Sequence, residues 1–135
     1  MDLQELRTRA NAHLLKFMMR LADELREHFP HHATALRGEL IGTKLSEGRW
    51  HRISSLLGSL EALPGVHFTS EEHDSRSLGV YGSRIAKEMA FAMFGSKDPA
   101  GSLELAIWWA DDVSKRMHVE QQNTAQSTDT ATTPG

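Results

Sequence analysis

A chain of 135 residues with 39% apolar and 24% charged side chains has material for one modest hydrophobic core and lies outside the disordered and fibrous classes. It contains no cysteine, which excludes disulfide scaffolds, thiolate zinc sites and cysteine nucleophiles and leaves His, Asp and Glu as the only strong metal ligands. A formal charge of −3 lacks the basic excess of an electrostatic nucleic-acid binder, and neither a secretory leader nor a membrane-spanning apolar run is present, so a cytoplasmic protein is expected.

Residues 2–29 carry the clearest pattern. Leu3, Leu6, Ala10, Leu14, Phe17, Met18, Leu21, Leu25 and Phe29 fall on one side at 100° per residue, with charged residues opposite. This predicts a long amphipathic helix, stopped by Pro30. Residues 31–45, with Gly38 and Gly42, read as a short helix or a turn. Ser46 is a candidate cap for a helix in which Trp50, Ile53, Leu56, Leu57, Leu60 and Leu63 share an arc ending at Pro64-Gly65. On the back of that helix Ser54, Gly58 and Ala62 recur every four residues, either a close-packing stripe or a plain exposed face.

"GVHF" reads as a short extended piece and "TSEEHDSRS", residues 69–77, as a polar turn-like stretch. A fourth helix is expected from about Leu78 to Phe94, with Leu78, Tyr81, Ile85, Met89, Ala92 and Met93 inward. Its end, "MAFAMF", is apolar nearly all round, so Phe91 and Phe94 are candidates for an oligomer interface. Asp98-Pro99 is a start signal for the last helix, whose inward face is Leu103, Ala106, Ile107, Ala110, Val113 and Met117. Residues 120–135 offer almost nothing apolar to bury and read as a disordered tail. The expected fold is all-α: a single-domain bundle of four to five helices over residues 1–119.

Candidate chemistries are few. "EHFPHH" at 27–32 concentrates histidines, but Pro30 breaks the spacing of three or four by which helices present metal ligands, and histidines near a helix C-terminus also serve the free carbonyls there. "EEHD" at 71–74 has the composition to add a carboxylate, but its plainer role is a solvated loop, with Glu71 and Glu72 near a helix start. No serine lies in G-x-S-x-G, and no glycine cluster matches a phosphate-binding loop. Arg7 and His13 have an R-x5-H spacing that resembles the motif of HEPN-type helical ribonucleases, a match easily reached in a chain with eight histidines. "RIAKEMA" resembles the first helix of a helix-turn-helix, but apolar "FAMF" stands where the turn belongs. "GRWHR" offers Arg49, His51 and Arg52 beside Trp50, which belongs to the apolar arc.

The most informative anomaly is "IWWADD". Trp109 turns inward on the last helix, whereas Trp108 falls among Glu104, Asp111, Asp112 and Lys115 on the polar side. Exposed tryptophans are uncommon and are enriched where proteins bind proteins. The expectation is a non-enzymatic helical protein, a regulator, inhibitor or accessory subunit, that binds a protein partner through Trp108 and Leu105 within a rim of Glu104, Asp112 and Lys115. No cofactor is expected, and a homodimer is. A nucleic-acid-associated regulator is the alternative, and a His/Glu metal-dependent enzyme the third reading.

Overall fold

In the computed structural model, which describes residues 2–42 and 46–117, the Asp2 carboxylate starts the first helix by accepting the Glu5 backbone N–H at 2.8 Å. That bond satisfies one of the donors every helix start leaves free. Helix α1, Leu3–Leu25, buries Leu6, Ala10, Leu14, Phe17, Met18, Leu21 and Leu25 along the predicted stripe. It ends at Leu25, short of the expected residue 29, and the reason is Pro30. Phe29, at φ −134° and ψ 62°, is held out of the helical region by the ring that follows it, as residues before proline are. Pro30 then occupies the first position of helix α2, Pro30–Glu39, where its missing N–H costs nothing. One proline closes α1 and opens α2, so His31 and His32 lie in a first helical turn.

Arginines tie α2 to its neighbours. Arg37 pairs with Asp23 of α1. Arg49 donates to the carbonyls of Glu39 and Ile41 at the end of α2, and Arg52 meets the Glu39 carboxylate at 3.0 Å. The chain leaves α2 through Gly42, whose φ of 102° is the left-handed conformation that glycine adopts without strain.

Ser46 caps helix α3, Glu47–Gly58, by accepting the Arg49 N–H, and a 3-10 turn over Ser59–Ala62 carries the chain to Pro64. Trp50, Ile53, Leu57 and Leu60 are fully buried, as the arc predicted. No strand follows: residues 66–67 turn, and the polar stretch from Ser70 onward is helix. Helix α4 is Ser70–Ala90, beginning well before the expected Leu78. Thr69 caps it by accepting the Glu72 N–H, and its hydroxyl donates to the Glu72 carboxylate at 3.2 Å; the T-x-x-E spacing is a start signal inside an otherwise loop-like composition.

The small stripe on α3 is a packing device. Ser54 Oγ donates to the Ser83 carbonyl at 3.0 Å, and Ser83 Oγ donates back to the Ser54 carbonyl at 2.5 Å. A methyl added at Gly58 would stand 3.1 Å from Ser83 Oγ, and one at Gly79 or Gly82 of α4 would collide with Leu60 or Leu21. Glycine and serine at this crossing let α3 and α4 approach closely. Ala62, the third member of the stripe, is exposed.

Helix α4 ends in one π-helical turn, Phe91–Gly95, closed by the Ser96 N–H to the Phe91 carbonyl at 2.7 Å. The Asp98 carboxylate then accepts the Gly101 N–H, and helix α5 runs Pro99–Ser114. It buries Leu103, Ala106, Ala110 and Val113, with Met117 buried just beyond. Helices α1 and α4 run through the middle of the bundle; α5 packs against both, α3 lies on α4, and α2 bridges α1 and α3. One contiguous core draws on all five helices. None of the described helices is long and apolar enough to cross a membrane. The tail expected over 120–135 lies outside the described residues.

Candidate functional site

Because Leu103, Ala106, Ala110 and Val113 fix the rotation of α5, its outer stripe is Glu104, Leu105, Trp108, Asp111, Asp112 and Lys115. Trp108 stands in the middle of it with 65% of its surface exposed, while Trp109 is half-buried against the core. Glu104, Asp112 and Lys115 are exposed and Leu105 is half-buried.

Trp108 is a ridge between two clefts. The first, of about 280 Å³ between α4 and α5, is lined by Tyr81, Arg84 and Ile85 on one wall and Trp108, Trp109, Asp112, Val113 and Arg116 on the other. The second, of about 460 Å³ between α1 and α5, is lined by Leu3, Leu6, Arg9, Ile107 and Ala100, with Asp2, Glu104 and Asp111 around it. Asp112 and Glu104 thus lie on opposite sides of Trp108. Leu105 and Lys115 share its stripe without lining either cleft.

The clefts differ in charge. In the first, the guanidinium of Arg84 lies 5.7 Å from the centre of the Tyr81 ring and that of Arg116 lies 5.3 Å from it, within the range of cation–π attraction. Arg116 also reaches Asp112 at 3.4 Å. Arg84 forms no ion pair among the described residues. The second cleft is lined by three carboxylates and one guanidinium, that of Arg9; Asp2 is spent on its cap and Asp111 accepts from or pairs with His13 Nε2 at 2.8 Å, whereas Glu104 has no side-chain partner among the described residues.

Tyr81 corrects the sequence reading. It was expected inward, but it is 37% exposed and forms a cleft wall. Arg84 and Arg116 were not singled out by the sequence either. The available signals were local: Tyr81 and Arg84 are three apart and Asp112 and Arg116 four apart, the spacings at which helical side chains meet.

Phe91 and Phe94 lie apart from the clefts' linings. The π turn directs Ala92 into the core and leaves Phe94 82% exposed and Phe91 41% exposed, with the Lys87 ammonium 5.8 Å from the Phe91 ring centre.

The remaining candidates have structural employment. Arg49 and Arg52 of "GRWHR" hold the end of α2, and Trp50 is fully buried. Arg7 donates to the Ala92 carbonyl at 3.4 Å, far along the chain from His13's partner Asp111. His28 lies 4.0 Å from Glu27, and the His73 ring packs edge-on against Phe68. His32 Nε2 lies 3.0 Å from Ser59 Oγ. Since that hydroxyl already donates to the Leu56 carbonyl at 2.7 Å, the histidine N–H is the donor to it. Burial, with a smaller contribution from nearby His31, lowers the His32 pKa and favours the neutral ring. No group of three His, Asp or Glu side chains among the described residues is placed to hold a metal ion. No protein-family model, curated protein or solved structure matches this chain.

Proposed function

We propose that this protein is a non-enzymatic helical module that acts by binding a protein chain, as a regulator, inhibitor or accessory subunit, with Trp108 as the anchor. The observation that carries this reading is a large aromatic side chain 65% exposed on a well-packed helix, flanked on both sides by clefts with apolar floors. Such a ridge is a costly use of a tryptophan in water and a productive one in an interface, where aromatic anchors dominate binding energy. Glu104 and Asp112 form the polar rim, and Leu105 extends the apolar stripe. Leaving the ring exposed keeps it out of the stability balance of the fold.

Truncating a desolvated anchor costs about 2 kcal/mol or more of binding, roughly 30-fold in Kd. Trp108→Ala is therefore expected to abolish specific capture of the partner by purified bait while thermal unfolding stays close to that of the parent. Equal capture by parent and variant, read by quantitative mass spectrometry, would remove Trp108 as the anchor.

A further inference from the structure

The two clefts beside Trp108 are complementary to one another. One presents Arg84 and Arg116 against the single carboxylate of Asp112; the other presents Asp2, Glu104 and Asp111 against the single guanidinium of Arg9. Of these groups, Arg9, Arg84 and Glu104 each lack a hydrogen-bond or ion-pair partner among the described residues, Arg84 in one cleft and Glu104 with Arg9 in the other. A partner suited to both would carry an acidic patch and a basic patch separated by an apolar centre. This chain itself has that surface.

We propose that the partner seated on the Trp108 face is a second copy of this chain, in a two-fold dimer. This rests on the reading of Trp108 as a binding anchor and names what it binds. In a two-fold interface any contact between one residue and another is made twice, once in each direction. With the axis lying in the interface, past Trp108 and across the line joining the clefts, the arginine-bearing cleft of each copy faces the carboxylate-bearing cleft of the other. Both tryptophans then meet near the axis, and Arg84 of each protomer is matched with the acid side whose unpaired member is Glu104. The charges that would repel in a stack of like faces attract in this one. Oppositely charged patches of this kind fix orientation and reject other registers. The exposed Phe91 and Phe94 form an apolar surface too, and sequence alone pointed to them for self-association, but nothing in their surroundings selects a partner, whereas the charge on either side of Trp108 does.

Charge reversal tests the arrangement. Arg84→Glu puts like charges opposite at both ends of the dimer, and so does Glu104→Arg. Each variant alone is expected to weaken self-association more than about tenfold, since like charges brought face to face cost heavily. Mixing the two variants brings opposite charges together at both ends, so a heterodimer forms from two weakly associating proteins. Sedimentation gives the affinities and native mass spectrometry the composition of the mixture. Dimeric parent protein, two weakened variants and a recovered heterodimer support the proposal.

A parent that stays monomeric at the highest attainable concentration overturns it, as does a dimer that survives both reversals or one dissolved by Phe94→Asp and not by Trp108→Ala. If the parent is monomeric yet captures a different protein in a Trp108-dependent way, the second copy is wrong and the anchor stands. Loss of both kinds of Trp108 dependence ends both readings. Circular dichroism on each variant, expected to match the parent, separates lost association from lost folding.

Discussion

The α3–α4 crossing and the outer face of α5 obey the same helical repeat, yet one is closed and the other open. At the crossing Ser54 and Gly58 of α3 meet Ser83 of α4, the two serine hydroxyls each reaching the other helix's backbone carbonyl, while Gly79 and Gly82 of α4 leave room for the side chains of Leu60 and Leu21. On α5 the same one-turn spacing carries Leu105, Trp108 and Asp112, with Trp108 at their centre 65% exposed. The difference teaches that periodicity identifies a face, while side-chain volume on that face decides whether another part of the same chain can lie against it. Small residues commit a face to the fold; a large aromatic leaves its face outside it.

The largest effect should come from forcing the closed region open. A side chain at Gly82 meets Leu21 and Leu57, both fully buried with no room to retreat. Gly82→Leu is expected to cost about 3 kcal/mol, at the upper end of overpacking penalties, and to lower the melting temperature by more than about 10 °C. The comparison variant is Trp108→Ala, where a far greater volume is removed and the stability change should stay within about 0.5 kcal/mol, as for other exposed positions. If calorimetry finds the two equally damaging, the division into a closed and an open region is wrong.

The next effect concerns the two serines. Each hydroxyl donates to the other residue's carbonyl, and the two oxygens are 3.4 Å apart, so the clasp consists of two separate bonds. Each carbonyl also belongs to a helix ladder, so removing a hydroxyl leaves no orphaned acceptor. Ser54→Ala and Ser83→Ala should each cost about 1 kcal/mol and the double variant about twice that. If the second substitution instead cost nothing after the first, the hydroxyls would be bonding mainly to one another, and denaturant titrations of the four proteins decide between these outcomes.

How much of this was legible beforehand differs between the two regions for a physical reason. The caps at Ser46 and Asp98, the outward direction of Trp108 and most of the apolar arcs of α1, α3 and α5 follow from local spacing and are where the sequence placed them, but Leu3 at the start of α1 is exposed and Ile107 of α5 is only half-buried, both lining the second cleft. The start of α4 was missed because its signal, Thr69 with Glu72, lies in a polar stretch whose composition equally suits a loop. Tyr81 was misplaced because it sits at the edge of the buried stripe, where a small rotation of α4 against α5 determines exposure. The small stripe on α3 was visible, but whether α4 lay on it depends on contacts 29 residues apart. The clefts beside Trp108 could not be read at all, since each needs the relative placement of two helices.

The smallest effect belongs to a partly buried seam, where His32 of α2 donates its Nε2 proton to Ser59 just past the end of α3. Its folded pKa lies below the ordinary value of about 6.5, chiefly because burial disfavours the charged ring and further because His31 is close. The unfolded chain, whose histidine titrates near 6.5, therefore binds more protons than the native one at pH values just below that point, and stability rises with pH there. His32's contribution is fully present above about pH 6.5 and is lost as the pH falls through its lower folded value. His32→Gln keeps an N–H donor for Ser59 and removes the titration. Melting temperatures measured from neutral to mildly acidic pH should accordingly fall more steeply for the parent than for His32→Gln, with the two curves parallel above pH 6.5. Parallel curves throughout would mean that the ring is as free to take a proton in the fold as out of it, and that this seam is open to water as the Trp108 face is.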